Sequence, residues 1–222
     1  MINIELIKVD VAKRGHITNS YVIYDDVEKE AVLIDPGYDA EKIISTIVML
    51  KTNIKYIVLT HAHGDHIGAL KEVYEYAKCP ILVHEEDYDM LIGKIESYSR
   101  FQGIAMQDLS DCNIVKIKDN FSFQVGALDF EVIHTPGHTR GGICLFEKTS
   151  DSLFTGDTIF YDCYGRCDLA TASFEDMVNS IKKLFDRFDD IVIYPGHGKS
   201  ININKAKKYI RLLLKMKDVN ID

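Results

Sequence analysis

The chain has 222 residues and a mass of 25.2 kDa, enough to bury one sizeable core. Its net charge of −8 argues against a general nucleic-acid binder, which usually carries a basic face. No apolar run approaches the roughly 18–20 residues that cross a bilayer, the N-terminus has no signal-peptide pattern, and five cysteines, an odd number, favour reduced thiols. We therefore expect a single domain over residues 1–222 in the cytoplasm, with no membrane or nucleic-acid partner.

The first elements along the chain are predicted to be three strands, a helix and a fourth strand. Strands are predicted at 2–10, 19–24 and 30–34, between turn signals. A helix is predicted over 39–51, where apolar residues recur at helical spacing. The run 54–59 is apolar and β-branched, which is typical of a buried parallel strand. The chain leaves that strand at its carboxyl end, the edge where α/β folds build their sites.

Four potential metal ligands lie within six residues of the loop that follows this strand. They are His61, His63, Asp65 and His66. Imidazole nitrogen and carboxylate oxygen both suit zinc and similar first-row metals. His61 and His63 can point the same way from an extended segment, while Asp65 and His66 begin a second set. The spacing therefore predicts two metals that share one cleft.

The middle of the chain contains short elements and one long irregular segment. A helix is predicted over 67–77, a strand at 81–84 and a helix near 85–95. Residues 96–111 have no strong period, and a loop of this length in a compact domain is often functional.

The second half of the chain repeats the plan of the first. Its predicted strands are 113–117, 121–125, 128–134, 142–147, 152–155 and 191–194, and its predicted helices are 173–187 and 202–217. Two halves of this kind predict an α/β fold with two sheets packed face to face and helices outside. The last helix carries a charged face, which we interpret as solvated. Its cations are Lys205, Lys207, Lys208, Arg211, Lys215 and Lys217.

The loop Thr60-His-Ala-His-Gly-Asp-His-Ile-Gly68 resembles the signature of the metallo-β-lactamase superfamily, which includes glyoxalase II. That family completes its site with one His, one bridging Asp and a further His. The matches are His138 in His-Thr-Pro-Gly-His-Thr, Asp157 in Phe-Thr-Gly-Asp-Thr and His197 in Tyr-Pro-Gly-His-Gly. The resemblance spans roughly residues 16–200. It implies a four-layer αβ/βα sandwich with metals in a cleft at one edge of the sheets.

The resemblance also implies a role for each candidate ligand. The first metal would take His61, His63 and His138, the second would take Asp65, His66 and His197, and Asp157 would bridge them. Asp35, in Leu-Ile-Asp-Pro-Gly, resembles the Asp that supports the metal site in the family's first motif. By the same resemblance, the segment 96–111 falls beside the active site, and we interpret it as a substrate-facing flap.

The segment Gly165-Arg166-Cys167-Asp168 resembles one found in short glyoxalase II-like bacterial hydrolases. The related persulfide dioxygenases share this segment, so it does not distinguish the two groups. Long glyoxalase II enzymes add a helical region that binds glutathione, and this chain ends too soon after His197 for that region. We therefore expect the metal chemistry of the family without that means of binding glutathione.

The resemblance implies hydrolysis of a small thioester or ester by a hydroxide that bridges two divalent cations. Zinc is the expected metal, with iron and manganese as alternatives. A bound metal lowers the pKa of water from about 15.7 to roughly 7, so no protein nucleophile is needed. Asp65 and Asp157 are the residues that we expect to act in catalysis.

Three other functions stay open at this point. By resemblance, an iron-dependent persulfide dioxygenase would bind one iron through His61, His138 and Asp157, and a lactonase is a further enzymatic option. A metal-binding protein without turnover fits less well, because a purely structural site closes its coordination with four ligands. The remaining histidines, His16, His84 and His134, we interpret as structural. The sequence carries no prediction of the oligomeric state.

Overall fold

Two six-stranded sheets form the centre of the protein, which we describe from a computed structural model over residues 1–11 and 15–221. In the first sheet the strands follow chain order: β1 (Ile2–Val11), β2 (His16–Asp25), β3 (Glu30–Ile34), β4 (Asn53–Val58), β5 (Ile81–His84) and β6 (Ile114–Ile117). Strands β1 to β3 pair antiparallel, and β3 to β6 pair parallel. Parallel pairing aligns the carboxyl ends of β3, β4 and β5 at one edge.

The second sheet has the order β12-β11-β10-β9-β8-β7. Its strands are β7 (Ser122–Val125), β8 (Leu128–His134), β9 (Ile143–Glu147), β10 (Ser152–Gly156), β11 (Val192–Pro195) and β12 (Ile201–Asn202). All neighbours pair antiparallel except β10 and β11, which are parallel. The ends of β10 and β11 therefore lie side by side, and each is followed by a candidate ligand.

The helices accompany the sheets in chain order. They are α1 (Ala40–Leu50), α2 (Gly64–Ile67), α3 (Leu70–Ala77), α4 (Tyr88–Leu91), α5 (Ser99–Gln102), α6 (Phe174–Arg187) and α7 (Ile203–Lys215). Within the described residues, no helix is both long and apolar enough to cross a membrane.

Three apolar clusters show that these elements form four layers. Successive strand residues face opposite sides of a sheet, so Val22 packs toward α1 and α3 while Ile23 packs toward the second sheet. The cluster between the sheets contains Phe130 and Phe154, both fully buried. A third cluster joins the outer face of the second sheet to α6 and α7. The predicted αβ/βα sandwich is confirmed.

The predicted start of the helix over 67–77 is wrong. A short helix, α2, ends at Ile67, and a separate helix, α3, begins at Leu70. Gly68 lies between them, and a Cβ at this position would clash with the carbonyl oxygen of Gly37. This close approach gives the chain a compact corner directly after the metal-binding motif. The helix predicted near 85–95 is also shorter, since α4 ends at Leu91 and Gly93 adopts a positive φ of 78°.

The charged face of α7 is not solvated throughout. Lys207 is buried, and its Nζ donates to the carbonyl oxygens of Phe185 and Phe188 at 2.7 and 2.6 Å. These carbonyls stand at the C-terminal end of α6, where a cation is favourable. The interpretation of Lys207 as a solvated residue is therefore wrong, while Lys205 and Lys208 are exposed as expected.

Candidate metal centre

The loop that carries the histidines is anchored by Asp35 at the end of β3. The Asp35 carboxylate accepts hydrogen bonds from the Thr60 N–H at 2.7 Å and the Thr60 hydroxyl at 2.6 Å. It also lies 2.8 Å from Nδ1 of His66. One buried side chain thus holds both ends of the motif, which agrees with the supporting position expected for Asp35.

Three of the predicted ligands form a first group at the carboxyl ends of β4 and β8. His61, His63 and His138 each offer a ligand atom, and these atoms lie within 4.8 Å of one another. Nδ1 of His63 is 2.9 Å from Nε2 of His138, although the two residues are 75 positions apart. The fold therefore places three imidazoles close enough to bind the same cation.

A second group lies beside the first. His66, Asp157 and His197 place their ligand atoms within 4.8 Å of one another, and Oδ2 of Asp65 is 3.2 Å from Nε2 of His197. Asp157 lies between the groups, because its Oδ2 is 3.4 Å from Nε2 of His138 while its Oδ1 is 3.3 Å from Nε2 of His66. All seven predicted residues thus meet in one cleft, and their roles as ligands stay a prediction.

Two buried atoms in this cleft test whether the residues fit a metal. Nε2 of His61 and Oδ1 of Asp157 are buried without a hydrogen-bond partner. A buried polar atom without a partner costs free energy, and native proteins rarely leave one unexplained. Five imidazoles and two carboxylates are a donor set that suits zinc, iron and manganese. The residues present therefore fit one or two divalent cations.

The charges in the cleft favour a cation as well. Burial lowers the pKa of His63 to about 3 and that of His61 well below its usual value, so both rings are neutral and able to bind a metal. Burial favours the neutral carboxyl of Asp157, but His197 and His66 outweigh this effect and hold its pKa well below the usual range. The cleft therefore contains two neutral imidazoles, His61 and His63, beside an ionised carboxylate. Against the opposing effect of burial, Asp157 raises the pKa of His66 well above its usual value and that of His197 to about 10. Without a cation these two rings carry the positive charge, and a cation that binds them would displace their protons.

Backbone carbonyls orient two of the imidazoles. Nδ1 of His138 is 2.9 Å from the carbonyl oxygen of Arg166, and Nδ1 of His197 is 2.7 Å from that of Ile17. Since a carbonyl only accepts, each Nδ1 carries the proton and donates it. Each Nε2 then faces the cleft, and a bound cation would take its lone pair in place of its contact with His63 for His138 and with Asp65 for His197.

Asp87 is a buried residue of this region that the sequence did not reveal. Its carboxylate accepts from the N–H of Ala62 at 3.1 Å, the hydroxyl of Thr139 at 2.8 Å and the N–H of Gly141 at 2.7 Å. Asp87 thereby joins the loop of the first sheet to the loop that carries His138. In the sequence it is one of three consecutive acidic residues, a pattern that gives no sign of burial.

Of the three remaining histidines, which we interpret as structural, His16 lies at the cleft, and its role stays a prediction. Its Nε2 lies 3.0 Å from Oδ2 of Asp65, and its ring centroid is 4.9 Å from that of His197. By contrast, His84 and His134 stack on each other with centroids 3.9 Å apart, and neither lines the candidate metal cleft. A single His at the start of a strand carries no sequence signal that could have identified it.

The segment 96–111 forms one wall of the cleft, as its interpretation as a flap requires. Tyr98, Phe101 and Gln102 line a cavity of about 460 Å³, opposite Phe160 and Arg166. The Tyr98 ring lies 5.5 Å from that of His63, and its hydroxyl accepts from the N–H of Ala170 at 2.7 Å. The wall is therefore held to the opposite side by a hydrogen bond.

Comparison with known proteins identifies the family. The model of the metallo-beta-lactamase superfamily matches residues 14–197, a range that includes every ligand candidate above. The chain belongs to the metallo-β-lactamase superfamily. Metallo-β-lactamase superfamily members are mostly metal-dependent hydrolases with one or two divalent cations, and the prediction of such a hydrolase is confirmed at this level.

Three similar members illustrate the range of the metallo-β-lactamase superfamily. The hydroxyacylglutathione hydrolase GloC of Haemophilus influenzae is 33% identical over 207 residues, which cover 93% of this chain and 95% of that protein. The BLEG-1 B3 metallo-beta-lactamase has a TM-score of 0.84 at 29% identity, covering 95% of this chain and 99% of that one. TTHA1623 in a di-iron-bound form has a TM-score of 0.81 at 25% identity, covering 94% and 99%. Substrate and metal must therefore be inferred from the site.

Proposed function

We propose that the chain is a metal-dependent hydrolase of the glyoxalase II-like type, which cleaves a small thioester or ester with two zinc ions. The observation that carries this proposal is the position of Asp157 between two ligand groups: its Oδ2 lies 3.4 Å from Nε2 of His138 in the first group and from Nε2 of His197 in the second, and its Oδ1 lies 3.3 Å from Nε2 of His66. A purely structural metal site closes with four ligands, whereas this cleft offers seven. The similarity to a hydroxyacylglutathione hydrolase supports the same substrate class.

The residues divide into those that hold the cations and those that meet the substrate. His61, His63 and His138 would hold one cation, Asp65, His66 and His197 the other, and Asp157 both. When bound, the cations would supply Lewis acidity, which lowers the pKa of a water toward roughly 7 and stabilises negative charge on a carbonyl oxygen.

The walls of the cavity bind the substrate and supply no nucleophile. Tyr98, Phe101 and Phe160 offer apolar surface to an acyl or leaving group, and Arg166 places a cation at the side. Among the described residues that line this cavity, none is Ser, Thr or Cys. A thiolate leaves easily, since its conjugate thiol has a pKa near 8.5, so a thioester needs no protein acid.

Paired assays on protein loaded separately with zinc and with iron test the proposal. One is an anaerobic panel of S-lactoylglutathione, a thioester without glutathione, an ester, a lactone and a β-lactam. The other follows oxygen uptake on glutathione persulfide, with metal analysis of the same sample. We expect anaerobic thioester or ester turnover with two metals per chain. Oxygen uptake with one bound iron and no thioester or ester turnover would establish a dioxygenase instead.

A further inference from the structure

His16 contacts the second ligand group, although no motif that matches the superfamily contains it. We propose that His16 is an additional ligand of the second cation, at the mouth of the cleft. His16, Asp65 and His197 each offer one ligand atom, and these atoms lie within 4.8 Å of one another. This inference rests on the proposed metal centre and adds one residue of this chain to it.

The start of β2 holds the two imidazoles side by side. His16 is the first residue of β2, and the carbonyl of the next residue, Ile17, accepts from Nδ1 of His197. Oδ2 of Asp65 lies between the rings, 3.0 Å from Nε2 of His16 and 3.2 Å from Nε2 of His197. A cation near Asp65 and His197 is therefore within reach of His16.

Asp65 does not depend on His16 for a hydrogen bond. The hydroxyl of Thr18 donates to the same Oδ2 at 3.3 Å. Either nitrogen of a neutral imidazole can carry the proton, so Nε2 of His16 can present a lone pair to a cation while Thr18 still satisfies the carboxylate. A role limited to orienting Asp65 would duplicate what Thr18 already supplies.

The exposure of these side chains decreases from the mouth of the cleft inward. The exposed fraction is 54% for His16 and 23% for His197, then 6% for Asp65 and 0% for His66. His197 also belongs to the inner group with His66 and Asp157. His16 is therefore the outermost of these four residues, at the mouth of the cleft.

Metal binding by His16→Gln tests the inference directly. Glutamine can still donate to Asp65 but is a poor zinc ligand, and the exposed position tolerates the change. Metal-free protein is titrated with zinc against a chromophoric chelator, with His134→Gln as the matched control outside the cleft. We expect the second zinc of His16→Gln to bind at least roughly ten-fold more weakly, with the first zinc and the control unchanged.

Cobalt(II)-loaded protein separates a ligand from a hydrogen-bond donor. Each imidazole bound to cobalt gives an exchangeable N–H proton resonance shifted far from the diamagnetic region, and His16→Gln should lose one such resonance. Weaker zinc binding without that loss, or unchanged binding, would overturn the inference. A wild-type chain that takes up only one cation would overturn the two-metal centre as well, and thioester turnover of the wild type tests the proposed function separately.

Discussion

Asp157 is the residue through which the two ligand groups are connected. Its Oδ2 contacts His138 of the first group and His197 of the second, and its Oδ1 contacts His66 of the second. His66, although fully buried, contacts only the second group through its Nε2. In the proposed two-metal centre, Asp157 would hold both cations and His66 only one.

We expect Asp157→Ala to reduce both metal content and turnover more than His66→Ala does. Loss of the carboxylate removes a ligand from both cations, whereas loss of the imidazole removes one from the second cation only. Metal stoichiometry and initial rates should be measured on the same preparations. Equal residual metal in the two variants would show that Asp157 does not bridge.

The short helix α5 is part of the segment 96–111, which we interpret as a flap over the cleft. Phe101 on this helix lines the cavity with 74% of its surface exposed. Met106 belongs to the same segment and lines a different cavity. Substitutions of Phe101 and Met106 can therefore be compared to distinguish a role in substrate binding from a general effect of changing the segment.

We expect Phe101→Ala to lower kcat/KM on thioesters roughly ten-fold, which corresponds to about 1.4 kcal/mol of lost apolar contact. Its free energy of unfolding should stay within about 0.5 kcal/mol of the wild type, because the side chain is exposed. Steady-state kinetics and urea unfolding measure the two quantities. The flap interpretation fails if Met106→Ala has the same kinetic effect.

Helix α7 stabilises helix α6 through Lys207. We expect Lys207→Met to lower the free energy of unfolding by roughly 2–3 kcal/mol, because the carbonyls of Phe185 and Phe188 lose a charged donor. Lys208→Met, at the neighbouring exposed position, should change it by less than about 0.5 kcal/mol. Urea unfolding measures the free energy of unfolding of both variants. Equal changes in the two would show that Lys207 does not stabilise the end of α6.

At the scale of the whole molecule, the candidate centre joins the two sheets. His61 and His66 follow β4 of the first sheet, whereas His138 and Asp157 follow β8 and β10 of the second. A cation bound by both groups stabilises the folded chain and not the unfolded one. At a free concentration of 100 times Kd this stabilisation is about 2.7 kcal/mol.

We therefore expect metal removal to lower the Tm by roughly 5–10 °C, since 1 kcal/mol shifts the Tm of a chain of this size by about 2–4 °C. Thermal unfolding with and without a chelator measures the shift. Asp157→Ala should show a smaller shift, because it binds less metal at the start. A Tm of the wild type that chelation leaves unchanged would contradict a centre that links the sheets.

The local sequence was sufficient for most elements and for the candidate ligands. Strands predicted at 81–84 and 128–134 have the same bounds in the structure. Hydrophobic periodicity is a local property, so it reports which face of an element is buried. Spacing directly after a predicted strand indicated His61, His63, Asp65 and His66 as ligands. Resemblance to the motifs of the superfamily, and not periodicity, indicated His138, Asp157 and His197.

Only the tertiary structure showed the long-range contacts of His16, Asp87 and Lys207. His16 contacts Asp65 across 49 positions, and Asp87 accepts from Gly141 across 54. A lysine on an amphipathic helix has the same local pattern whether solvent or a helix end lies opposite. Which polar groups lose their water depends on which elements meet, and that is determined by the packing of the sheets and helices and not by periodicity along the chain.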